Sequence, residues 1–460
     1  MRIARLIGPE LEQLLRENPA DVAAVLDEVH PEDLADIIEE TKDDDAVRIL
    51  SGMPAEYAAQ IFERLGEERQ RRLAELMSPA STAEIALEMA PDDRADFIGS
   101  IPAELGGEVL EQIEQRAPEV AEEVVQLRQW PKTSAGGLMT TSFVSVSQHL
   151  SIREAIEEIR NRAAGSETLD AVFVTENNDR LVGVLSLRDI LLSSATQRIG
   201  EVMTTNVISV PPEMDQEEVS QLLAKYDLNI MPVVSEIGQL LGVITSDDIL
   251  DVLTEEQDED VQKLGAVGPL TQGYFDTSFV MFLRKRAPWL IVLFVGGFLT
   301  THILRSYEDA LNASTRLAFY LPLLISSGGN SGSQSSTLII RGLATGDIQT
   351  RDWWRVLVRE VAQGVVLGAL LAAFGVLRAF SSGDGAQFAM LIGTTVVAIV
   401  SIGCVIGAMT PILLHRVGID PATSSNPFIA TFCDVLGIMM YLSFARLMLH
   451  LAVPLAAAPG

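Results

Sequence analysis

From Ala287 to about Leu451 the chain is built mainly of five hydrophobic segments, near 287–304, 317–340, 353–377, 389–414 and 428–451. Each approaches the ~20 residues that an α-helix needs to cross a bilayer. In hydrocarbon no water can satisfy a backbone amide, so segments of this kind span as helices. An all-α transmembrane domain of five helices is therefore expected over residues 284–460. Arg284, Lys285, Arg286, Arg341, Arg351, Arg355 and Arg416 fall on one side of it, against Arg305, Arg316 and Arg378 on the other. The positive-inside rule puts the first group, and the N-terminal half with it, in the cytoplasm of a cell (inner) membrane protein. Five spans then leave the C-terminus outside. Met1–Leu15 is charged and lacks an apolar core, so no cleavable signal peptide is expected.

The rest of the chain has a different character. Residues 1–280 hold 55 acidic and 21 basic side chains, a balance of −34, whereas residues 281–460 carry +4. An acidic half of this kind repels nucleic acid and anionic lipid and attracts cations. Cys404 and Cys433 both lie in expected spans, which argues against a disulfide framework or a zinc cluster. The five histidines are scattered, and no phosphate loop or nucleophile–base pair is present, so an enzyme is not expected.

Residues 1–130 read as an acidic, all-α N domain. Apolar residues recur at helical spacing, as in Leu11, Leu14, Leu15 and Val22, Val25, Leu26. His30-Pro31-Glu32-Asp33 returns sixty residues later as Ala90-Pro91-Asp92-Asp93. Proline and acids suit a first helical turn, and short helices repeating in this way imply a small superhelical solenoid.

A second repeat covers residues 131–257. Met139-Thr140-Thr141 recurs as Met203-Thr204-Thr205, and each copy runs through a helix (Ile152–Arg160; Gln216–Lys225) into two short strands. The strands are expected at Ala171–Thr175 with Leu181–Leu185, and at Met231–Val234 with Leu240–Ile244. The copies close on Ser186-Leu187-Arg188-Asp189 and Thr245-Ser246-Asp247-Asp248. The arrangement resembles a tandem pair of α+β CBS modules, 135–195 and 197–257. That resemblance makes Ser186 with Asp189, and Thr245 with Asp248, candidates for holding a nucleotide ribose, ATP being one possible ligand. The same pairs also read as helix caps. No aromatic stands where one would stack an adenine; Leu228 and Asn229 occupy that neighbourhood, with Tyr226 the nearest ring.

Acids crowd together from Asp247: Asp248, Asp251, Glu255, Glu256, Asp258, Glu259 and Asp260. On a helix, Asp248, Asp251 and Glu255 share one face. Mg2+ takes oxygen ligands and keeps several waters, so one or two carboxylates suffice. These acids read as a cation sensor, with Asp92, Asp93 and Asp96 of the N domain as an opposite wall. Residues 258–283 fit a connecting, plug-like helix lying against the membrane face.

Two features inside the membrane half are unlike lipid-facing helix. Asp434 sits in the apolar run Pro427–Tyr441, where a carboxylate is costly and ordinarily faces an aqueous path or a partner. The competing ion pair, with Arg446, is twelve residues away, which at about 100° per residue lies on a different face. The second span reads Ser326-Ser327-Gly328-Gly329-Asn330-Ser331-Gly332-Ser333-Gln334-Ser335-Ser336. Helix packing explains its glycines; Asn330 and Gln334, four residues apart, suit the wall of a pore.

That run, with Arg341-Gly342-Leu343-Ala344, Arg286-Ala287-Pro288-Trp289-Leu290, Arg359-Glu360, Asp420-Pro421-Ala422, Asn426-Pro427 and Asp434, resembles the signature of the MgtE magnesium channel family. The resemblance extends over nearly the whole chain. It implies a homodimer in which the second and fifth spans of both subunits line one pore. Asp434 would be its filter carboxylate, with Asn426 and Asp420 nearer the cytoplasmic mouth. It further implies import of Mg2+ down its electrochemical gradient, closed by Mg2+ bound between the acidic cytoplasmic faces. Cys433 and Ala430 depart from the polar neighbours expected beside Asp434 and bear on selectivity among Mg2+, Mn2+, Co2+ and Ni2+. The competing functions are exchange coupled to Na+ or H+, and a membrane-anchored nucleotide sensor that transports nothing.

Overall fold

The computed structural model describes residues 30–449 apart from 164, 165, 167, 271, 272, 275 and 276. The helices expected around Leu11–Leu15 and Val22–Leu26 lie outside the described residues. The chain divides into two units, Met1–Thr254 and Glu255–Gly460.

The first unit begins with α1 (Pro31–Glu40), α2 (Asp43–Gly52), α3 (Ala55–Phe62), α4 (Glu67–Leu76), α5 (Pro79–Glu88), α6 (Pro91–Ser100), α7 (Ala103–Arg116) and α8 (Pro118–Leu127). Proline opens α1, α5, α6 and α8, where its missing N–H leaves no helical bond unmade. Each helix packs on the next but one, from α1 on α3 to α6 on α8, which is the solenoid expected from the repeat. Leu50, Phe62, Leu73, Phe97 and Ile113 fill its core, with the Phe62 and Phe97 rings edge-to-face at 5.0 Å. Buried arginines tie the turns together. Arg94 donates to the carbonyls of Ala86 and Met89, both at 2.6 Å, and pairs with Glu123 at 3.1 Å. Arg69 pairs with Asp43 and donates to the Ile38 carbonyl at 2.8 Å.

The two modules follow. The first holds α9 (Ala135–Leu138), β1 (Ser145–Ser147), α10 (Ile152–Arg162), β2 (Ala171–Glu176), β3 (Arg180–Ser186) and α11 (Leu187–Leu192). The second holds α12 (Ile199–Val202), α13 (Gln216–Tyr226), β4 (Ile230–Val234) and β5 (Leu240–Thr245). β1 runs parallel to β2 and β2 antiparallel to β3; in the second module Val210 bridges Val233 in parallel and β4 pairs antiparallel with β5. The repeated Met-Thr pair has a structural reason. Thr140 exchanges two backbone hydrogen bonds with Val243 of the other module, at 2.8 and 2.9 Å, and Thr204 does the same with Val184, at 2.9 and 3.0 Å. Each module thus finishes the sheet of its twin. Met139 and Met203 pack on Gly242 and Gly183, where a Cβ would come within 2.8 and 2.5 Å of them. Ala95 and Leu127 of the solenoid share a core with Met139, Met231, Val233 and Ile249, so α6 and α8 are seated on the second module.

α14 (Ser246–Leu264) is continuous across the division between units. The single connecting helix expected over 258–283 is not formed. α14 stops at Leu264, because Gly265-Ala266-Val267-Gly268-Pro269 places Ala266 at φ 57° and then removes a donor. None of the described residues from 265 to 278 is helical.

The second unit continues with α15 (Phe279–Ser306), α16 (Glu308–Ala313), α17 (Arg316–Ala344), α18 (Trp353–Ser381), α19 (Ala386–Arg416) and α20 (Asn426–Met448). α15 starts upstream of the basic triplet rather than after it. Four helices among the described residues are long and apolar enough to cross a membrane: α15, α18 with its lead-in, α19 and α20. α17, with 29 residues, is as long, but the polar centre already marked in the sequence, Ser326 to Ser336, keeps it out of that apolar set. α17 and α18 both pack on α19, and α17 also on α20. Tyr441 of α20 is buried and donates to the Leu317 carbonyl at 3.2 Å. No residue of α15 is buried.

Candidate functional site

α17 and α20 pack antiparallel, and glycine sets how close they come. A Cβ on Gly329 would lie 3.4 Å from the Ala430 Cβ and 4.0 Å from Asp434 Oδ1. Gly328 faces Ile399 of α19, while Gly332 lies where all three helices meet, its Cβ position 2.8 Å from Ile429 of α20 and 3.1 Å from the Gly403 carbonyl oxygen of α19. A Cβ on Gly403 would fall 2.6 Å from the Gly328 carbonyl oxygen, and one on Gly407 only 2.0 Å from that of Gly332. Small residues four apart on both helices let the backbones touch. The glycines of this run therefore do pack helices, and the packing holds Asp434 beside α17.

Asp434 is half-buried, and among the described residues no side chain is paired with it. Arg446 is engaged elsewhere: it donates to the Ser306 carbonyl at 2.9 Å and lies 4.2 Å from the centre of the Tyr307 ring. The competing ion pair is thus absent from this structure. Asn330 and Gln334 are both exposed on α17, and Asn330 Nδ2 donates to Ser326 Oγ at 3.2 Å. Cys433 is buried on the glycine-lined side, with its sulfur 3.1 Å from where a Gly332 Cβ would stand.

Eight residues earlier, about 12 Å along the helix at 1.5 Å per residue, Asn426 opens α20. Ser333 Oγ of α17 donates to its carbonyl at 3.4 Å. The side-chain oxygens Asn426 Oδ1 and Ser425 Oγ are buried without a hydrogen-bond partner among the described residues. Buried polar atoms are normally satisfied, so an unmatched oxygen here is a place for a water or ion ligand.

Asp420 precedes this helix. Its Oδ1 accepts from the Ala422 amide at 2.8 Å, and its Oδ2 lies 2.6 Å from Lys263 Nζ on α14. Lys263 is also paired with Glu259. Burial, then the Asp420 charge, then Glu256 and Glu259 push the Asp260 carboxyl up to about 6, against the pull of Lys263. Burial disfavours the Lys263 ammonium, but its hydrogen bonds to Asp420 and Glu259 outweigh that and hold its pKa above the ordinary value.

In the first unit, Asp92 and Asp93 occupy the first turn of α6, the favourable end of a helix for negative charge. Asp96 lies 3.1 Å from Lys132 Nζ, which also pairs with Glu67. Burial raises the Asp96 carboxyl, with Lys132 opposing it. Burial disfavours the Lys132 ammonium, yet Asp96 and Glu67 push it up to about 12. Asp248 is raised by burial, with the Thr245 hydrogen bond opposing and Asp247 and Asp251 adding to the rise. Asp251 and Glu255 are exposed and Glu256 half-buried along α14. Among the described residues no three His, Cys, Asp or Glu side chains converge as a metal-ligand group. Of the expected sensor acids, Asp96 is thus held by Lys132 and Glu259 by Lys263, and no closed cage forms among the described residues.

The nucleotide candidates act as caps. The Asp189 amide donates to Ser186 Oγ at 3.1 Å and the Ser186 amide to Asp189 Oδ2 at 3.2 Å, a complete capping box at α11, with Ser186 Oγ also donating to Asp189 Oδ2 at 2.5 Å. Thr245 Oγ1 donates to Asp248 Oδ2 at 2.6 Å in the same manner. Tyr226 is exposed, with the Lys225 amine 5.2 Å from its ring centre.

Glu360 appears in the sequence only as part of the Arg359-Glu360 pair of the signature, with no role assigned to it. It lies 5% exposed inside α18 and accepts from Ser335 Oγ of α17 at 2.6 Å. The signal that singled out Asp434, an acid within an apolar run, was present here too. Lys132 and Lys263 were overlooked, since a lone lysine in an acidic sequence carries no signature.

Sequence profiles of known families cover most of the chain. The profile described as MgtE intracellular N domain matches residues 29–133, CBS domain matches 135–195 and 199–255, and the MgtE profile, a divalent cation transporter, matches 321–444. The magnesium transporter MgtE of Thermus thermophilus is 42% identical over 333 residues, 72% of this chain and 74% of the relative. The magnesium transporter MgtE of Bacillus subtilis is 33% identical over 70% of this chain and 71% of its own length. Among solved structures, the cytosolic domain of the Mg2+ channel MgtE in complex with ATP is similar at 33% identity and a TM-score of 0.50, covering 53% of this chain and 98% of that one. The soluble part of a magnesium transporter is similar at 27% identity and a TM-score of 0.50, over 54% and 99%. With all three parts of the family's domain order matched, the chain belongs to the MgtE family of divalent cation transporters.

Proposed function

We propose that this protein is a homodimeric Mg2+ channel of the cell membrane, importing Mg2+ down its electrochemical gradient and closed by cytosolic Mg2+. The observation that carries this reading is Asp434, a half-buried carboxylate without a paired cation, placed beside Gly329 where α20 packs on α17. An intramembrane carboxylate of this kind is costly unless it serves a path. Two copies at a dimer axis present −2 to one divalent ion. The further donors, Asn330, Gln334 and Asn426, are all oxygen-bearing side chains, and Asn426 Oδ1 has a coordination position to fill. That set suits an ion that prefers oxygen and sheds its waters reluctantly.

Residues 1–130 and 131–257 form the regulatory part in this reading and 284–460 the pore, with the N-terminal half cytoplasmic and the C-terminus outside. Asp92, Asp93, Asp96, Asp248, Asp251, Glu255, Glu256, Glu259 and Asp260 supply acidic surfaces that repel one another when Mg2+ is scarce, and Asp420 stands with Asn426 near the cytoplasmic mouth of the pore. Hydrated Mg2+, which needs only one or two carboxylates beside its retained waters, neutralises those surfaces. Because ATP is bound in the related cytosolic domain, the capped pairs Ser186–Asp189 and Thr245–Asp248 are proposed to open toward a nucleotide's ribose.

The test is Mg2+ flux into liposomes at set voltage. Asp434→Ala is expected to remove flux while the protein still elutes as a folded species. Full flux in that variant refutes the pore assignment, and flux that follows a Na+ or H+ gradient converts the channel into an exchanger.

A further inference from the structure

The acids near the start of α20 already contain a cation. Lys263 Nζ lies 2.6 Å from Asp420 Oδ2 and is paired with Glu259 one turn back on α14, while Asp260 is adjacent in sequence to Glu259 and feels the Asp420 charge. The ammonium joins two segments 157 residues apart. With 23% of its side chain exposed, Lys263 is neither buried filler nor a freely solvated surface lysine. Lys132 repeats the pattern in the solenoid, seated between Glu67 and Asp96.

An ammonium is a compact unit charge with three donors. It can hold the oxygens of two carboxylates, and a divalent cation wanting those oxygens must first displace it. We propose that Lys263 is a tethered counter-ion, occupying Glu259 and Asp420 when divalent cation is scarce and competing with Mg2+ for them, so that it sets the Mg2+ concentration at which this junction closes. The inference rests on the Mg2+-regulated reading above. A side chain on its own helix competes at the high effective concentration typical of a short tether. Its removal is expected to tighten apparent Mg2+ binding about fivefold, the factor equivalent to ~1 kcal/mol for a partly exposed ion pair.

The experiment is Mg2+-dependent protection of the full-length protein from chymotrypsin, which does not cut at lysine, beside flux in liposomes. Lys263→Gln is expected to lower the midpoint of protection about fivefold. Lys263→Arg, which keeps the charge, should stay within about twofold of the parent. In an Asp420→Asn background the Lys263→Gln shift should fall by more than half, because the partner acid is already gone. An unchanged or higher midpoint for Lys263→Gln overturns the inference, as does a shift of undiminished size beside Asp420→Asn. If the parent protein shows no Mg2+-dependent protection, the regulated-channel reading fails and this inference with it. If protection is present and only the Lys263→Gln shift is missing, the inference alone fails.

Discussion

Gly407→Ala is the sharpest test of the helix packing that holds Asp434 in place. A Cβ at this position would stand 2.0 Å from the Gly332 carbonyl oxygen, 2.7 Å from its carbon and 2.9 Å from its Cα. All three are backbone atoms of a long helix, so no side chain can swing aside. Ordinary contact begins near 3.4 Å, and α19 and α17 would have to part by about 1.4 Å at this level. Overpacking of this kind costs about 1–3 kcal/mol, occasionally more. The displaced stretch of α17 carries Asn330 and Gln334, so transport should suffer with stability. Gly329→Ala is the control. Its Cβ meets Ala430 at 3.4 Å and Asp434 Oδ1 at 4.0 Å, distances that need no rearrangement. It should melt within about 0.5 kcal/mol of the parent, yet place a methyl group beside the carboxylate and reduce flux. Thermal denaturation of detergent-solubilised protein, paired with flux per folded molecule in liposomes, reads both effects. A Gly407→Ala protein with parental melting temperature and parental flux refutes the argument.

The remaining predictions test other parts of the structure. Glu360→Ala should destabilise the membrane unit by about 1–3 kcal/mol, since Ser335 loses its acceptor in a buried setting; Glu360→Gln keeps an acceptor and should melt closer to the parent. Arg94→Ala removes the donor that serves the Ala86 and Met89 carbonyls and leaves Glu123 without its cation, which should lower stability of the soluble half by about 3–5 kcal/mol, read by denaturant unfolding. With burial and the Asp420 charge raising it from an ordinary 3.8 to about 6 in this structure, the Asp260 carboxyl holds a proton between those values that it would release if the junction came apart. Without Mg2+, junction stability should therefore rise as pH falls from 7 through 6 toward 4 and be lost again as pH rises through about 6; chymotrypsin protection that does not change over this range contradicts the assignment.

Much of the architecture was legible because it depends on local pattern. Proline with acids marks where α1 and α6 begin, and the second repeat gave both modules their helices and strands to within a residue or two. Membrane helices were legible from length, since hydrocarbon allows little else. The breaks were harder to place. The Gly265–Pro269 stretch ends α14 far short of Phe279, and moderate hydropathy over 258–283 hid that stop. Pairings between distant residues were the other gap: Thr140 with Val243, Glu360 with Ser335, and Lys263 with Asp420 leave no trace in spacing.

The sequence by itself determined that acids cluster outside the membrane and that one carboxylate, Asp434, sits inside it. Both are facts of composition and position, and burial in hydrocarbon makes the second informative. Tertiary structure decided what those acids meet. It turned Arg446 to Ser306 and Tyr307, leaving Asp434 without a paired cation among the described residues, and it seated Lys132 and Lys263 among the candidate sensor acids. The physical reason is range. Hydrophobic periodicity acts over a few residues along one helix, whereas a charge takes its partner from whatever the fold brings within a few ångströms.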